Sequence, residues 1–247
     1  MANNNRDGGF EDFRQMAKDS SLSKYEKIGF PDSYRAGFET AIFDDIATKL
    51  SGLERSGAKI LDIGAGCSDL PLMIIERGRE LSQTTYMIDS AEMLGLLPEA
   101  SHVHKLPGAF PNMSEFVQEH TGSFDAILCY SVFQYIFVEM PLYKFLDTAL
   151  SLLAPGGKML IGDIPNISKR RRFFASEAGR EYHRKFTGSA TEPDIAFNRI
   201  EFDKIDDAVI LSIIARARAQ GFDAFVMPQD PRLPMENRRE DVLIARP

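Results

Sequence analysis

Residues 60–71 read "ILDIGAGCSDLP", with Gly64 and Gly66 spaced as G-x-G directly behind an apolar run that has the length of a buried strand. Gly64 permits a tight turn, and Gly66, having no Cβ, lets the main chain come close to a ligand. Asp89 closes a second apolar run, where a carboxylate can accept hydrogen bonds from both hydroxyls of a ribose. The pairing points to a nucleoside, although a simple strand-to-helix turn uses the same glycines and G-x-G alone does not decide between the two. A dinucleotide reader calls for a third glycine in G-x-G-x-x-G. Here Asp69 takes that place, and a carboxylate at a helix start opposes a pyrophosphate while suiting the helix dipole. The sequence carries neither G-x-x-x-x-G-K-[ST] nor Y-x-x-x-K, which weakens phosphate-loop and dehydrogenase readings.

These residues need elements to hold them. "KILDIG" and "TTYMID" read as two strands, "HVHKL" as a weaker third, "FDAILCY" as a fourth suited to burial on both faces, and "KMLIGDI" as a fifth. Between them run helical stripes, one through Phe38, Ile42, Phe43, Ile46 and Leu50 with Asp32 or Ser33 as its cap, another through Leu142, Phe145, Leu146, Ala149 and Leu153 that stops at "APGG". Strand and helix in alternation give stacked βαβ units and a mostly parallel sheet. "FDAFVMP" and "DVLIARP" follow with no helix between them, so the last strand returns antiparallel. The fold class is α/β, a Rossmann-like three-layer sandwich with a seven-stranded sheet. Residues 1–35 read as an irregular, partly disordered arm before a domain over 36–247, and residues 165–203 as a long connection with no regular helix.

Composition narrows the setting. A charge of −7 disfavours duplex nucleic acid, and no stretch reaches the roughly 18 apolar residues of a membrane span. The first residues lack signal-peptide character, so a cytoplasmic location is expected, with Cys67 and Cys129 reduced and each placed as a small buried thiol. Within this acidic chain, residues 169–185 hold seven Lys or Arg against two Glu. Such a run is usually a solvated face. Lying over the ligand end of the sheet, it can instead cover an anionic substrate, with Arg170, Arg171 and Arg172 gripping phosphate or carboxylate.

With "ILDIGAG", "YMID", "FDAILCYSVFQYI", "LLAPGGKMLIGD" and the reversed last strand in order over residues 60–247, the chain resembles the class I S-adenosylmethionine-dependent methyltransferases. The resemblance implies that Asp62, Gly64, Ala65, Gly66 and Ser68 surround the methionine part of the cofactor, with Tyr130 beside them. It implies further that Asp89 holds the ribose, that Ser90 to Met93 border the adenine, and that Arg35 of the arm pairs the cofactor carboxylate. "KLPGAFPN" follows the third strand in place of the family's acid, leaving Gly108 to Phe110 beside the adenine by position. If the nucleophile is a hydroxyl, a general base belongs at a strand end or in the insertion, and Asp163, His183 and Tyr135 are the candidates, with Gln134 nearby. Each also has a duller role, as a turn cap, a solvated ring or a core aromatic. His102 and His104 lack the partners of a metal site, and no metal is expected. "IGDIPN", "SKRRRFF" and "PQDPRLPMENRREDVLI" are similar to methyltransferases of surface-polysaccharide or nucleotide-sugar pathways, which implies O-methylation of a small anionic sugar acceptor; the sequence leaves a homodimer open. The alternatives are an oxidoreductase binding NAD through the same loop, and a nonenzymatic nucleoside-binding module.

Overall fold

The computed structural model describes residues 8–247, so the first seven residues of the arm lie outside the described residues. Seven strands, β1 (Lys59–Ile63), β2 (Thr84–Asp89), β3 (Val103–Pro107), β4 (Phe124–Tyr130), β5 (Leu153–Pro165), β6 (Asp223–Met227) and β7 (Arg239–Ala245), form one sheet in the order β3-β2-β1-β4-β5-β7-β6. β1 to β5 pair in parallel, and β7 lies antiparallel between β5 and β6. The chain reverses its direction of winding between β1 and β4, which opens a crevice beyond their carboxyl ends.

Successive side chains of a strand point to opposite faces, and the sequence is apolar in both registers. Ile60, Leu128 and Leu160 therefore pack under α3 (Glu39–Lys49) and α4 (Asp69–Glu80), while Leu61, Ile127 and Met159 pack under α8 (Leu142–Ser151) and α11 (Asp207–Ala219). Short helices fill the connections: α5 (Ala91–Leu94), α6 (Ser114–Glu119) and α7 (Phe133–Glu139). The cap of the helix on residues 38–50 differs from expectation. Residues Asp32–Tyr34 form a separate 3-10 turn, and α3 starts at Glu39.

Two segments read as irregular are helical. In the arm, α1 (Phe10–Lys18) and α2 (Lys24–Lys27) are formed, the second by a capping box in which Ser23 accepts the Glu26 N–H and Glu26 accepts the Ser23 N–H. Their apolar side chains pack on Cys67 and Met93 rather than on either main core, so the stripe is short and poorly periodic in sequence. In the connection after β5, α9 (Ile167–Ala175) is capped by Asn166 and α10 (Glu177–Thr187) by Ser176. Gly179 allows them to touch, since a Cβ there would run into the Phe173 carbonyl oxygen. Among the described residues, no helix is long and apolar enough to cross a membrane.

Candidate active site

The loop behind β1 turns through Gly64 at φ +74° and Gly66 at φ +68°, both in the left-handed region where a side chain is strained. A Cβ on Gly64 would come within 2.7 Å of Val132, and one on Gly66 within 2.8 Å of Ile28 of the arm, so each glycine also serves a close approach. Asp89, at the end of β2, braces the loop: its Oδ2 accepts the Gly66 N–H at 2.8 Å and its Oδ1 the Ser90 N–H at 2.6 Å. Burial pushes its carboxyl above the usual range, and those two N–H groups pull the other way. Each oxygen keeps a lone pair for a hydroxyl donor.

Around this loop opens a cavity with about 940 Å³ of empty space, counting the solvent at its mouth. Arg35, Gly64, Ala65, Gly66, Ser68, Asp89, Met93 and Tyr130 line it, and so do Gly108, Ala109 and Phe110. Asp62 and Ser90 stand behind the wall. Ser90 caps α5 by accepting the Met93 N–H at 3.1 Å, and burial, helped by the charge of Asp89, pushes the Asp62 carboxyl up to about 7. Burial likewise raises both thiols, Cys67 to about 11 and Cys129 further still, and both are free. At the start of α4, Asp69 accepts from Lys24 Nζ at 2.5 Å and from the Tyr25 hydroxyl at 2.8 Å, so that helix end already holds an anion.

Arg35 is 3% exposed. Its Nη2 donates to Ser131 Oγ at 2.5 Å, its guanidinium lies 4.4 Å from the Phe30 ring centre, and Glu39 stands 3.8 Å from Nη1. That Nη1 has no hydrogen-bond partner.

Of the three candidate bases, Tyr135 alone lines the cavity, with its ring edge-on to Phe13 at 4.6 Å. Gln134 turns back to donate to the Ser131 carbonyl oxygen. Asp163 is buried behind the wall, accepting from Ser131 and Arg239, and His183 sits on α10 against Phe174, away from the cavity. The basic run is not brought to the cavity either. Arg171 donates to Glu201 at 2.7 Å, Arg172 to Asp207 at 2.5 Å, and Arg170 lies over the Phe174 ring. Two of the three arginines that looked available for a substrate are thus paired with acids, and the third is held by an aromatic ring. His102 bonds the Ile75 carbonyl and His104 stacks on Tyr86.

The resemblance implies that the arm, with Tyr25, Tyr34 and Arg35, folds over the cofactor; sequence reasoning missed which of its residues form the lid. Phe10, Phe13 and Ile28 of the arm and Ile136, Glu139 and Met140 at the end of α7 close the cavity opposite the glycine loop. Glu139 accepts the Phe10 N–H at 2.9 Å, and Arg14 and Lys18 reach Glu92 at 2.8 and 3.2 Å. The spacing of Phe10, Phe13 and Ala17 was the available signal, a helical stripe only two turns long.

The sheet order, the glycine loop and the acid ending β2 define the class I S-adenosylmethionine-dependent methyltransferase fold. Among solved structures, the chain is similar to the plantazolicin methyltransferase BpumL in complex with SAH, at TM-score 0.59 and 14% identity over 96% of each chain. It is also similar to the 1,6-didemethyltoxoflavin-N1-methyltransferase of Burkholderia thailandensis, at TM-score 0.52 and 16% identity over 97% of this chain and 90% of that one. Among characterised sequences, it is 25% identical over 167 residues to the ubiquinone/menaquinone biosynthesis C-methyltransferase UbiE of Rhizobium johnstonii, covering 64% of each. It is 31% identical over 121 residues to chondramide synthase cmdD of Chondromyces crocatus, 47% of this chain and 3% of that protein. The chain thus spans less than two thirds of either relative. No family model matches the sequence.

Proposed function

We propose that this protein transfers a methyl group from S-adenosylmethionine to a small acceptor whose reacting end is largely apolar. The observation that carries the cofactor is Asp89, set beside two left-handed glycines with both oxygens anchored by backbone N–H groups. The residues present fit an adenosyl amino acid: Asp89 for the ribose diol, Met93 and residues 108–110 for the adenine, and Arg35, whose Nη1 makes no hydrogen bond, for the carboxylate. The occupied start of α4 speaks against a pyrophosphate and hence against NAD.

When bound, the sulfonium supplies an activated methyl group, so the protein's part is to align an acceptor and exclude water. Phe10, Phe13, Ile136 and Met140 do the excluding, and Tyr135 and Glu139 are the polar side chains on that side. Among the described residues lining the cavity, the one basic side chain is Arg35, already bonded to Ser131. This lining favours an apolar or aromatic acceptor over the phosphate-bearing sugar that the sequence suggested. The solved neighbours include a methyltransferase described with the heteroaromatic 1,6-didemethyltoxoflavin, which agrees with that choice.

The test is titration calorimetry with S-adenosylhomocysteine and with NAD, followed by transfer of labelled methyl to phenols, N-heteroaromatics and nucleotide sugars. S-adenosylhomocysteine should bind and NAD should not, and Asp89→Ala should weaken the former at least tenfold, about 1.4 kcal/mol. Binding of NAD alone, or unchanged affinity in Asp89→Ala, would overturn the cofactor assignment. Label confined to nucleotide sugars would overturn the acceptor.

A further inference from the structure

Asp163 and Ser131 each follow the Tyr130↔Gly162 pair of β4 and β5, Ser131 just past the end of β4 and Asp163 at the irregularity inside β5 where its pairing with β7 shifts register. Both are non-glycine residues in the left-handed region, at φ +58° and +61°. Each such residue costs on the order of 1 kcal/mol or more and persists where its surroundings over-determine it. Here the surroundings are a buried relay. Ser131 Oγ donates to Asp163 Oδ2 at 2.5 Å and accepts from Arg35 Nη2 at 2.5 Å. Asp163 Oδ2 also accepts from Arg239 Nη1 at 2.8 Å, its Oδ1 faces Gln229 Nε2 at 3.3 Å, and its own N–H donates to Asp241 Oδ1 at 2.8 Å.

A serine hydroxyl has one proton. Because the Asp163 carboxylate accepts it, the remaining lone pairs of Ser131 must face Arg35; the guanidinium is fixed with Nη2 on Ser131 and 3.9 Å from Asp163 Oδ2, and Nη1, 3.8 Å from Glu39 Oε1, is left without a hydrogen-bond partner. Asp163 does not line the cavity, whereas Ser131 and Arg35 do.

We propose that Asp163 is a positioning residue: acting through Ser131, it holds Arg35 so that the spare Nη1 receives the carboxylate at the amino-acid end of the bound cofactor. This rests on the S-adenosylmethionine reading above. Asp163 then touches neither reactant, and its effect is confined to ligands that carry that carboxylate.

The experiment compares S-adenosylhomocysteine with 5′-methylthioadenosine, which has the same nucleoside and sulfur but no amino-acid carboxylate. Asp163→Asn keeps the volume and tolerates the left-handed backbone. Ser131→Gly removes the hydroxyl at a conformation glycine adopts freely. Calorimetry on the full chain, with thermal melting as the check of folding, should show each variant binding S-adenosylhomocysteine at least tenfold more weakly, with methylthioadenosine affinity within twofold of the parent. The double variant should be no weaker than the weaker single one, because both changes cut the same relay. Equal losses for the two ligands would reduce Asp163 to a structural part and overturn the proposal, as would unchanged affinity for S-adenosylhomocysteine. If Asp163→Asn does not fold, Ser131→Gly alone gives the same two-ligand comparison. Failure of the parent protein to bind either compound would instead overturn the cofactor reading on which the proposal stands.

Discussion

Replacing Asp62 by Asn should change stability by an amount that depends on pH, and the dependence can be worked from its surroundings. Asp62 is 3% exposed on β1, beside Asp89 on β2 and close to the Cys129 thiol on β4, and it carries a carboxyl raised from 3.8 to about 7. In the unfolded chain the same group ionises near its ordinary value. The folded protein therefore holds the proton more tightly, and stability falls as pH rises from about 4 to about 7, then levels off. At about 1.36 kcal/mol per pH unit, the full cost is about 4 kcal/mol above pH 7, and less than half of that at pH 5. Asn cannot ionise and is spared this cost, while any penalty for its amide is the same at every pH. Urea unfolding followed by circular dichroism at pH 5, 6, 7 and 8 should show Asp62→Asn gaining on the parent by about 2 to 3 kcal/mol across that range. Asp89→Asn in the parent should flatten the slope, because one contributor to the raised carboxyl is then gone. A difference between Asp62→Asn and the parent that stays constant from pH 5 to pH 8 would refute the reasoning.

Two further outcomes follow from geometry. Gly64→Ala places a Cβ on a φ of +74° and within 2.7 Å of Val132, so chemical denaturation should show a loss of about 2 to 3 kcal/mol. Adding Val132→Ala should recover the crowding part and leave the backbone part. In the insertion, Arg171→Ala breaks a buried pair with Glu201 and should lower stability by about 1 to 3 kcal/mol, read as a fall in Tm, while Arg170→Ala leaves binding of S-adenosylhomocysteine unchanged.

The sheet and the glycine loop were legible because each is written in a short, local pattern. Buried parallel strands are continuous apolar runs, and β7 is announced by the missing helix before it. The cavity walls contributed by β1, β2 and β4 followed from those runs, and residues such as Asp89 and Tyr130 are placed simply by ending a strand. What the sequence hid was pairing at a distance. Arg171 and Arg172 look like free charge until the acids 30 to 35 residues downstream, Glu201 and Asp207, are folded onto them, and Arg170 is turned onto the Phe174 ring. Asp163 reads in sequence as the end of a strand, where a catalytic base would stand, but β5 continues to Pro165 and Arg239 and Gln229 from the far end of the chain close over the carboxylate. The residues of the lid escaped because its helix packs on the site instead of the core, leaving only Phe10, Phe13 and Ala17 as a trace.

Ile28 rests on the face of Gly66 that a compound in the loop would also use. If the proposed cofactor lies against that face, its occupancy is a competition between a guest and the protein's own arm. The fastenings are Arg14 and Lys18 on Glu92, and Lys24 and Tyr25 on Asp69. The charged ones lie within reach of dissolved ions, which weaken such pairs. Residence time at the loop is accordingly a property that ionic strength can tune without altering any group that meets the reactants.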